Sequence, residues 1–184
     1  VKLWDPATGE NIRTLDWFPD PVSSLAFSPD GRLLAGGGWN RNILLWDPET
    51  DLDPRTLAGP LGWIYDLTFS PDGRILASAG DQTTIQLWDP ATGEELRVLE
   101  GHPLPVTCVD FSPDGQLLAS GSWDDMVKIW DPVTGAELRE LAGHTGDVQG
   151  IAFSPGGKLV ASAGTEGAIW LWGVPGEEVE GDEG

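Results

Sequence analysis

The chain has 184 residues, 40% of them hydrophobic, so it is long enough to bury a core. Thirty acidic residues outnumber ten lysines and arginines, which gives a formal net charge of −20 and leaves no basic stripe. This balance argues against nucleic acid and anionic membrane surfaces as partners, because both attract a cationic protein face.

Three signatures recur along the chain, each in steps of 42 residues. The first is a tryptophan followed by aspartate, and its fifth copy has glycine in place of the aspartate: Trp4, Trp46, Trp88, Trp130 and Trp172. The second is the turn sequence "SPDG", which starts at Ser28, Ser70 and Ser112 and becomes "SPGG" at Ser154. The third is "PATG" or a variant of it, at 6, 48, 90 and 132. Agreement of three signatures on one period indicates a repeat protein.

Each repeat contains four short segments that are typical of strands. In the third repeat these are "VTCVDF" (106–111), "QLLASGS" (116–122), "VKIW" (127–130) and "AELREL" (136–141), separated by turn sequences. β-branched and aromatic residues with period-two alternation favour strands, and no segment shows an apolar helical period. A single four-stranded sheet of this size cannot bury both of its faces, whereas sheets stacked radially can. The sequence therefore predicts an all-β fold, a β-propeller with four-stranded antiparallel blades.

These residues and spacings resemble those of the WD-repeat β-propeller family, over residues 1 to about 173. The resemblance implies that each Trp-Asp pair ends the third strand of a blade. It predicts a propeller domain at 1–173, and we expect the acidic segment 174–184 to be a disordered tail.

The resemblance also implies a buried hydrogen-bonded tetrad within a blade, in which histidine, serine, an acid and the recurrent tryptophan satisfy one another. The third repeat matches with His102, Ser120, Asp124 and Trp130, and the fourth with His144, Ser162, Glu166 and Trp172. The second repeat has Pro60, Ser78, Gln82 and Trp88, and the first has Phe18, Gly36, Asn40 and Trp46, so we expect these two blades to be softer. Because the tetrad accounts for both histidines, we expect no catalytic residue, no metal site and no cofactor.

Five further tryptophans are out of step with the repeat. In the family, the positions of several of them surround one mouth of the central channel, where partners are held. The resemblance thus assigns partner binding to Trp39, Trp63, Tyr65, Asp81, Trp123, Asp147 and Thr165. Exposed aromatic clusters typically mark contacts. Two alternatives stay open: the rings fill gaps between loops, or an acidic rim selects basic peptides. Trp17 and Trp170 suggest local repacking only.

Because rings of this family usually have about seven blades, we expect four repeats and two extra strands to span only a little more than half of a ring. Our first expectation is that the chain is a fragment of a longer protein. The second is a homodimer that closes a ring of about eight blades, and the third is four blades that close alone.

The expected function is a non-catalytic scaffold or sensor that binds protein or peptide. The alternative is the sensor portion of a larger signalling ATPase or kinase, with its catalytic domain outside this chain. The single cysteine, Cys108, excludes an internal disulfide and is compatible with a cytoplasmic location.

Overall fold

A computed structural model describes residues 1–18, 20–50, 52–57 and 62–174. These residues form 17 strands and no helix, and therefore no helix that could cross a membrane. The strands form an N-terminal pair and four further sheets, in all of which neighbouring strands run antiparallel. The predicted all-β fold with four-stranded antiparallel sheets is confirmed, and the sheets form part of a β-propeller.

The sheets follow one another along the chain, and strands neighbour each other in sequence order. The N-terminal pair is β1 (Lys2–Trp4) and β2 (Asn11–Thr14). Blade 1 contains β3 (Val22–Phe27), β4 (Leu34–Gly38), β5 (Ile43–Trp46) and β6 (Arg55–Leu57). Blade 2 contains β7 (Ile64–Phe69), β8 (Leu76–Gly80), β9 (Thr84–Trp88) and β10 (Glu95–Glu100). Blade 3 contains β11 (Val106–Phe111), β12 (Leu118–Ser122), β13 (Met126–Trp130) and β14 (Glu137–Ala142). Blade 4 contains β15 (Val148–Phe153), β16 (Leu159–Gly164) and β17 (Ile169–Gly173).

The "SPDG" turns join the first strand of a blade to the second. In blade 3, the Ser112 hydroxyl donates to Asp114 Oδ1 at 2.6 Å and accepts the Leu117 N–H at 2.9 Å. Gly115 closes the turn at φ 72°, a left-handed conformation that favours glycine. The turn therefore extends through Leu117, and β12 begins at Leu118, two residues later than the predicted segment.

The aspartate of each Trp-Asp pair shapes the turn between the third and fourth strands. Asp131 Oδ1 accepts the N–H groups of Val133 and Thr134, at 2.8 and 3.0 Å. A hydrogen bond from the Thr134 side chain and these backbone bonds favour the charged carboxylate, so the pKa of Asp131 is lowered. Asp5 and Asp89 make the same bonds in their own turns. The aspartate is thus a local turn-forming residue in these three copies.

The apolar core lies between neighbouring blades. The first strands β3, β7, β11 and β15 pack in succession, and they lie along the inner side of the arc. One buried cluster combines residues of blades 1 and 2, such as Ile43 with Leu76, and another combines residues of blades 2 and 3, such as Ile85 with Leu118. Each blade therefore depends on its neighbours for burial of its faces.

Polar bonds also link each blade to the next on the inner side of the arc. The Ser24 hydroxyl accepts the Leu67 N–H at 3.0 Å. Asp66 Oδ2 accepts the Val109 N–H at 3.0 Å. In blade 3 the acceptor is Asp110 Oδ2, which lies 2.7 Å from the Phe153 nitrogen. Burial raises the pKa of Asp66 and of Asp110 more than these bonds lower it.

Arginines link neighbouring blades on the outer side of the arc. Arg55 on β6 donates to the carbonyls of Pro90 and Ala91, in the next blade's turn. Arg97 on β10 donates to the Val133 carbonyl at 2.8 Å. The arc is open, and its two end faces keep exposed apolar side chains, among them Phe27 on β3 and Ile169 and Leu171 on β17.

Candidate functional site

Each blade presents a loop tip between its second and third strands, beside the segment where its first strand begins. A backbone hydrogen bond holds the two together in every blade. The four bonds join Trp39 N to Pro21 O, Asp81 N to Trp63 O, Trp123 N to Pro105 O, and Thr165 N to Asp147 O, at 2.9–3.1 Å. We call this surface the loop face: residues 20–23, 39–42, 62–65, 81–84, 104–107, 123–126, 146–149 and 165–168.

Glycine allows the close approach of the tip to the first strand in blades 1 and 2. A Cβ at Gly38 would lie 2.1 Å from the Pro21 carbonyl oxygen, and one at Gly80 would lie 1.9 Å from that of Trp63. No side chain fits at either position without moving the backbone.

Four aromatic side chains on the loop face form two pairs, each of which joins neighbouring blades. Trp39 of blade 1 stacks on Trp63 of blade 2, with ring centroids 5.2 Å apart and an interplanar angle of 13°. Tyr65 of blade 2 lies against Trp123 of blade 3, with centroids 5.9 Å apart and a tilt of 34°. We call these four residues the aromatic row.

The rings of the aromatic row remain substantially open to solvent. Trp39 is 54% exposed, Trp123 40% and Trp63 38%, although each contacts a neighbouring ring. The rings thus fill space between the loops, where they cover one another, and they also keep faces that are open to solvent. Large aromatic surfaces with this exposure are typical of binding sites.

Asp81 occupies the blade 2 position that Trp39 and Trp123 occupy in blades 1 and 3. Its Oδ1 is buried and has no hydrogen-bond partner within the described part of the chain. A Cβ at Gly62 would lie 1.5 Å from this oxygen, so the carboxylate fills the space above that glycine. Burial raises the pKa of Tyr65, and the nearby charge of Asp81 raises it further.

Asp147 and Thr165 extend the loop face into blade 4, without an aromatic residue. A Cβ at Gly146 would lie 2.6 Å from the Thr165 hydroxyl oxygen. The structure therefore places all seven residues with an expected binding role on the loop face, and it brings the aromatic ones and Asp81 together in blades 1–3.

Two other loop-face residues hold the arc together, a role that sequence reasoning missed. Ser23 donates to the Ile64 carbonyl of the next blade, and Thr107 donates likewise to Val148. Blade 2 has Tyr65 at this position, where its ring contacts Trp123 instead. The repeat register could have suggested this, because a bulky residue replaces a small hydroxyl residue only in that blade among the first three.

The tetrad of blade 3 has complete hydrogen bonding. The indole Nε1 of Trp130 donates to the Ser120 hydroxyl at 2.8 Å, and that hydroxyl lies 2.8 Å from His102 Nε2. His102 Nδ1 lies 2.7 Å from Asp124 Oδ2. With Ser120 as the donor to Nε2, the imidazole carries its proton on Nδ1 and donates it to the carboxylate. Ser120 is fully buried, so it offers no access to a substrate.

Burial lowers the pKa of His102 more than the hydrogen bond to Asp124 raises it. The imidazole is therefore held neutral. In blade 4 the same arrangement joins Trp172, Ser162 and His144, and Glu166 supplies the acceptor for Nδ1.

Blades 1 and 2 lack the histidine, and their indole N–H groups differ in hydrogen bonding. Trp88 Nε1 donates to the Ser78 hydroxyl at 2.9 Å, and Gln86 lies within 3.4 Å of that hydroxyl. Sequence reasoning missed Gln86, and Pro60 lies outside the described residues. In blade 1, Trp46 Nε1 is buried and has no hydrogen-bond partner in the part of the chain that the structure describes.

Other reactive groups are enclosed. Burial raises the pKa of the Cys108 thiol to about 12, and the thiol is free. Within the described ranges, no group of three or more histidine, cysteine or acidic side chains is arranged to hold a metal ion.

Comparison with known proteins identifies the repeats. The family model described as "WD domain, G-beta repeat" matches four times, at residues 9–47, 53–89, 93–131 and 135–173. A curated relative, "Periodic tryptophan protein 2 homolog" from Neurospora crassa, is 44% identical over 41 residues. That match covers 22% of this chain and 5% of the relative.

Proposed function

Because this chain belongs to the WD-repeat family, a family of protein-interaction scaffolds, we propose that it is a non-catalytic scaffold or sensor module whose loop face binds a protein or peptide. The observation that carries the proposal is the aromatic row. Three tryptophans, each more than a third exposed, lie on one surface that the repeat backbone holds in place.

The energetics of binding favour this surface over the rest of the arc. Exposed indole rings lose water-accessible apolar area when a partner covers them, and few residues contribute more to binding. The row rests on backbone bonds between loop tips and first strands, so its rings are preorganised and little entropy is lost on binding.

The tetrads support a structural role rather than a chemical one. Ser120 accepts the indole proton of Trp130, so its lone pairs and its own proton are engaged within the blade. A nucleophile needs an open face and a site for the developing oxyanion. The fully buried Ser120 hydroxyl offers no open face.

The proposal excludes nucleic acid and anionic membranes as partners of the loop face. A phosphate backbone is recognised by clustered lysine and arginine. The loop face has Arg41 as its one basic residue in sequence.

The end faces of the arc are apolar surfaces distinct from the loop face. The exposed Ile169 and Leu171 of β17 and Phe27 of β3 would be covered in a closed ring. Because the arc of the single chain is open, the closed arrangement that this chain can form without another protein is a homodimer of about eight blades. Light scattering would then give twice the mass of the 19.7 kDa chain, and a monomeric mass would contradict the dimer while leaving the loop-face proposal intact.

The test of the loop face is partner capture with matched variants. The immobilised chain is compared with the variant Trp39→Ala/Trp63→Ala/Trp123→Ala and with Trp4→Ala, whose tryptophan on β1 is 53% exposed and lies outside the loop face. We expect the triple variant to lose its partners while it stays folded, and Trp4→Ala to retain them. Retention of every partner by the folded triple variant contradicts the proposal, and its unfolding shows that the rings serve the fold.

A further inference from the structure

The loop face is strongly negative. Its segments contain six carboxylates and a single basic residue, Arg41: the acids are Asp20, Asp81, Asp124, Asp125, Asp147 and Glu166. Asp124 and Glu166 are occupied by the tetrad histidines. Four carboxylates therefore remain to act on a ligand, one in the loop-face segments of each blade.

Asp81 is linked to two residues of the aromatic row. Its N–H is bonded to the Trp63 carbonyl, and its charge acts on Tyr65. Its buried Oδ1 has lost water without gaining a donor from the described residues. A positive charge that a ligand brings close to this carboxylate lowers the free-energy cost of its buried, unpaired oxygen.

The geometry of Trp39 and Trp63 selects among cations. The two rings are nearly parallel, at 13°, and more than half of Trp39 is exposed. A flat ring face next to a carboxylate suits a planar cation, which stacks on the ring and donates hydrogen bonds at its edge. The guanidinium group of arginine has this shape and is more weakly hydrated than the ammonium group of lysine.

From these observations we infer that the aromatic row binds an arginine side chain of a peptide segment, stacked on Trp39 and Trp63 and paired with Asp81. This inference rests on the proposed function and specifies the chemistry of its partner. The charge of the guanidinium group compensates that of the Asp81 carboxylate, and the remaining carboxylates of the loop face attract the positive segment.

The test compares two peptides that differ in charge but hardly in shape, acetyl-Gly-Ala-Arg-Ala-Gly-amide and the same peptide with citrulline. Binding to the full chain is measured by calorimetry and by the indole N–H signals in NMR spectra. We expect the arginine peptide to bind at least about tenfold more tightly, because citrulline has neither the cation–ring attraction nor the ion pair. Equal affinities, or no binding of either peptide, overturn the inference.

Variants then locate the site. Asp81→Asn keeps the shape of the side chain, and we expect it to weaken binding of the arginine peptide but not of the citrulline peptide, so that only the cation–ring attraction still separates the two affinities. Trp39→Ala is expected to weaken both peptides, whereas Trp4→Ala, the equally exposed control, weakens neither. Unchanged arginine binding by Asp81→Asn contradicts the pairing with this carboxylate.

The outcome is separable from that of the proposed function. A chain that captures partners through the aromatic row, yet binds the two peptides equally, retains the proposed function and loses only the arginine assignment. A chain whose partners are unaffected by the triple tryptophan variant loses both.

Discussion

The ring of Phe18 fills the space beside Gly36 that a side chain at Gly36 would need. A Cβ at Gly36 would lie 2.5 Å from Phe18 Cζ. Phe18 and Gly36 occupy the repeat positions of the tetrad histidine and serine, so blade 1 has an apolar contact where blade 3 has a polar network. This exchange leaves Trp46 Nε1 without an acceptor in the described structure.

Restoring only the tetrad serine in blade 1 should therefore destabilise the fold, whereas restoring the histidine, serine and aspartate together should give a more stable protein than the serine alone. We expect Gly36→Ser alone to lower the free energy of unfolding by about 1–3 kcal/mol, because the serine collides with Phe18. The variant Phe18→His/Gly36→Ser/Asn40→Asp should exceed the single variant in stability, since its serine can accept the Trp46 N–H. Urea unfolding of the three proteins decides, and a stabilising single Gly36→Ser would show that Phe18 can move aside.

Loss of the blade 3 histidine should leave two polar groups unpartnered in the interior. We expect His102→Ala to lower the free energy of unfolding by about 1–3 kcal/mol, because Ser120 and Asp124 lose their partner. His144→Ala should cost less, since Trp172 and Glu166 in blade 4 are partly open to water, which can replace the imidazole. Equal melting midpoints of His102→Ala and the parent chain would mean that the tetrad does not contribute.

Mild acid should weaken the fold through His102. Burial lowers the pKa of this histidine in the folded chain, whereas in the unfolded chain it returns to about 6.5. Between these two values the unfolded chain binds the proton and the folded chain does not, so stability is lost as the pH falls below about 6.5. The urea midpoint of the parent should therefore drop more between about pH 7.5 and pH 5.5 than that of His102→Gln, which has no imidazole to protonate. Parallel pH profiles of the two proteins would contradict this.

The carboxylate of Asp110 should control the attachment of blade 4. Asp110→Ala removes the acceptor of the Phe153 N–H, which lies 2.7 Å away. We expect a loss of about 1–3 kcal/mol in the free energy of unfolding and faster hydrogen exchange at the Phe153 amide. Thr68→Ala, at the same repeat position on β7, is the matched control and should leave this amide protected. Faster exchange in both variants would point to general loosening.

The repeat period predicted the fold well because it is a local property repeated many times. The 42-residue step fixes which residues occupy equivalent positions, so the strands and the turns follow from one register. The tetrad and the loop-face residues were expected from the resemblance to the WD-repeat family, which assigns roles to positions in that register. The stacking of Trp39 on Trp63 does not, because it depends on the angle between two blades and on side-chain rotamers.

Features that differ between repeats were harder to predict. Asp66 and Asp110 both bridge to the next blade, yet they are 44 positions apart and so do not share a repeat position. Gln86 takes part in blade 2 from a position that holds Lys128 in blade 3, where it pairs with Glu137 and Glu140. A search for periodicity misses such residues, because the buried polar groups have different hydrogen-bond partners in different repeats.

The bonds from one blade to the next have a consequence for biosynthesis. The side-chain bonds that join neighbouring blades in the described structure connect residues 35–43 positions apart. A chain emerging from the ribosome can thus secure each unit as soon as roughly one more repeat has been synthesised, without waiting for the distant end. Such vectorial assembly keeps the stretch of unprotected nascent polypeptide short at every stage of translation.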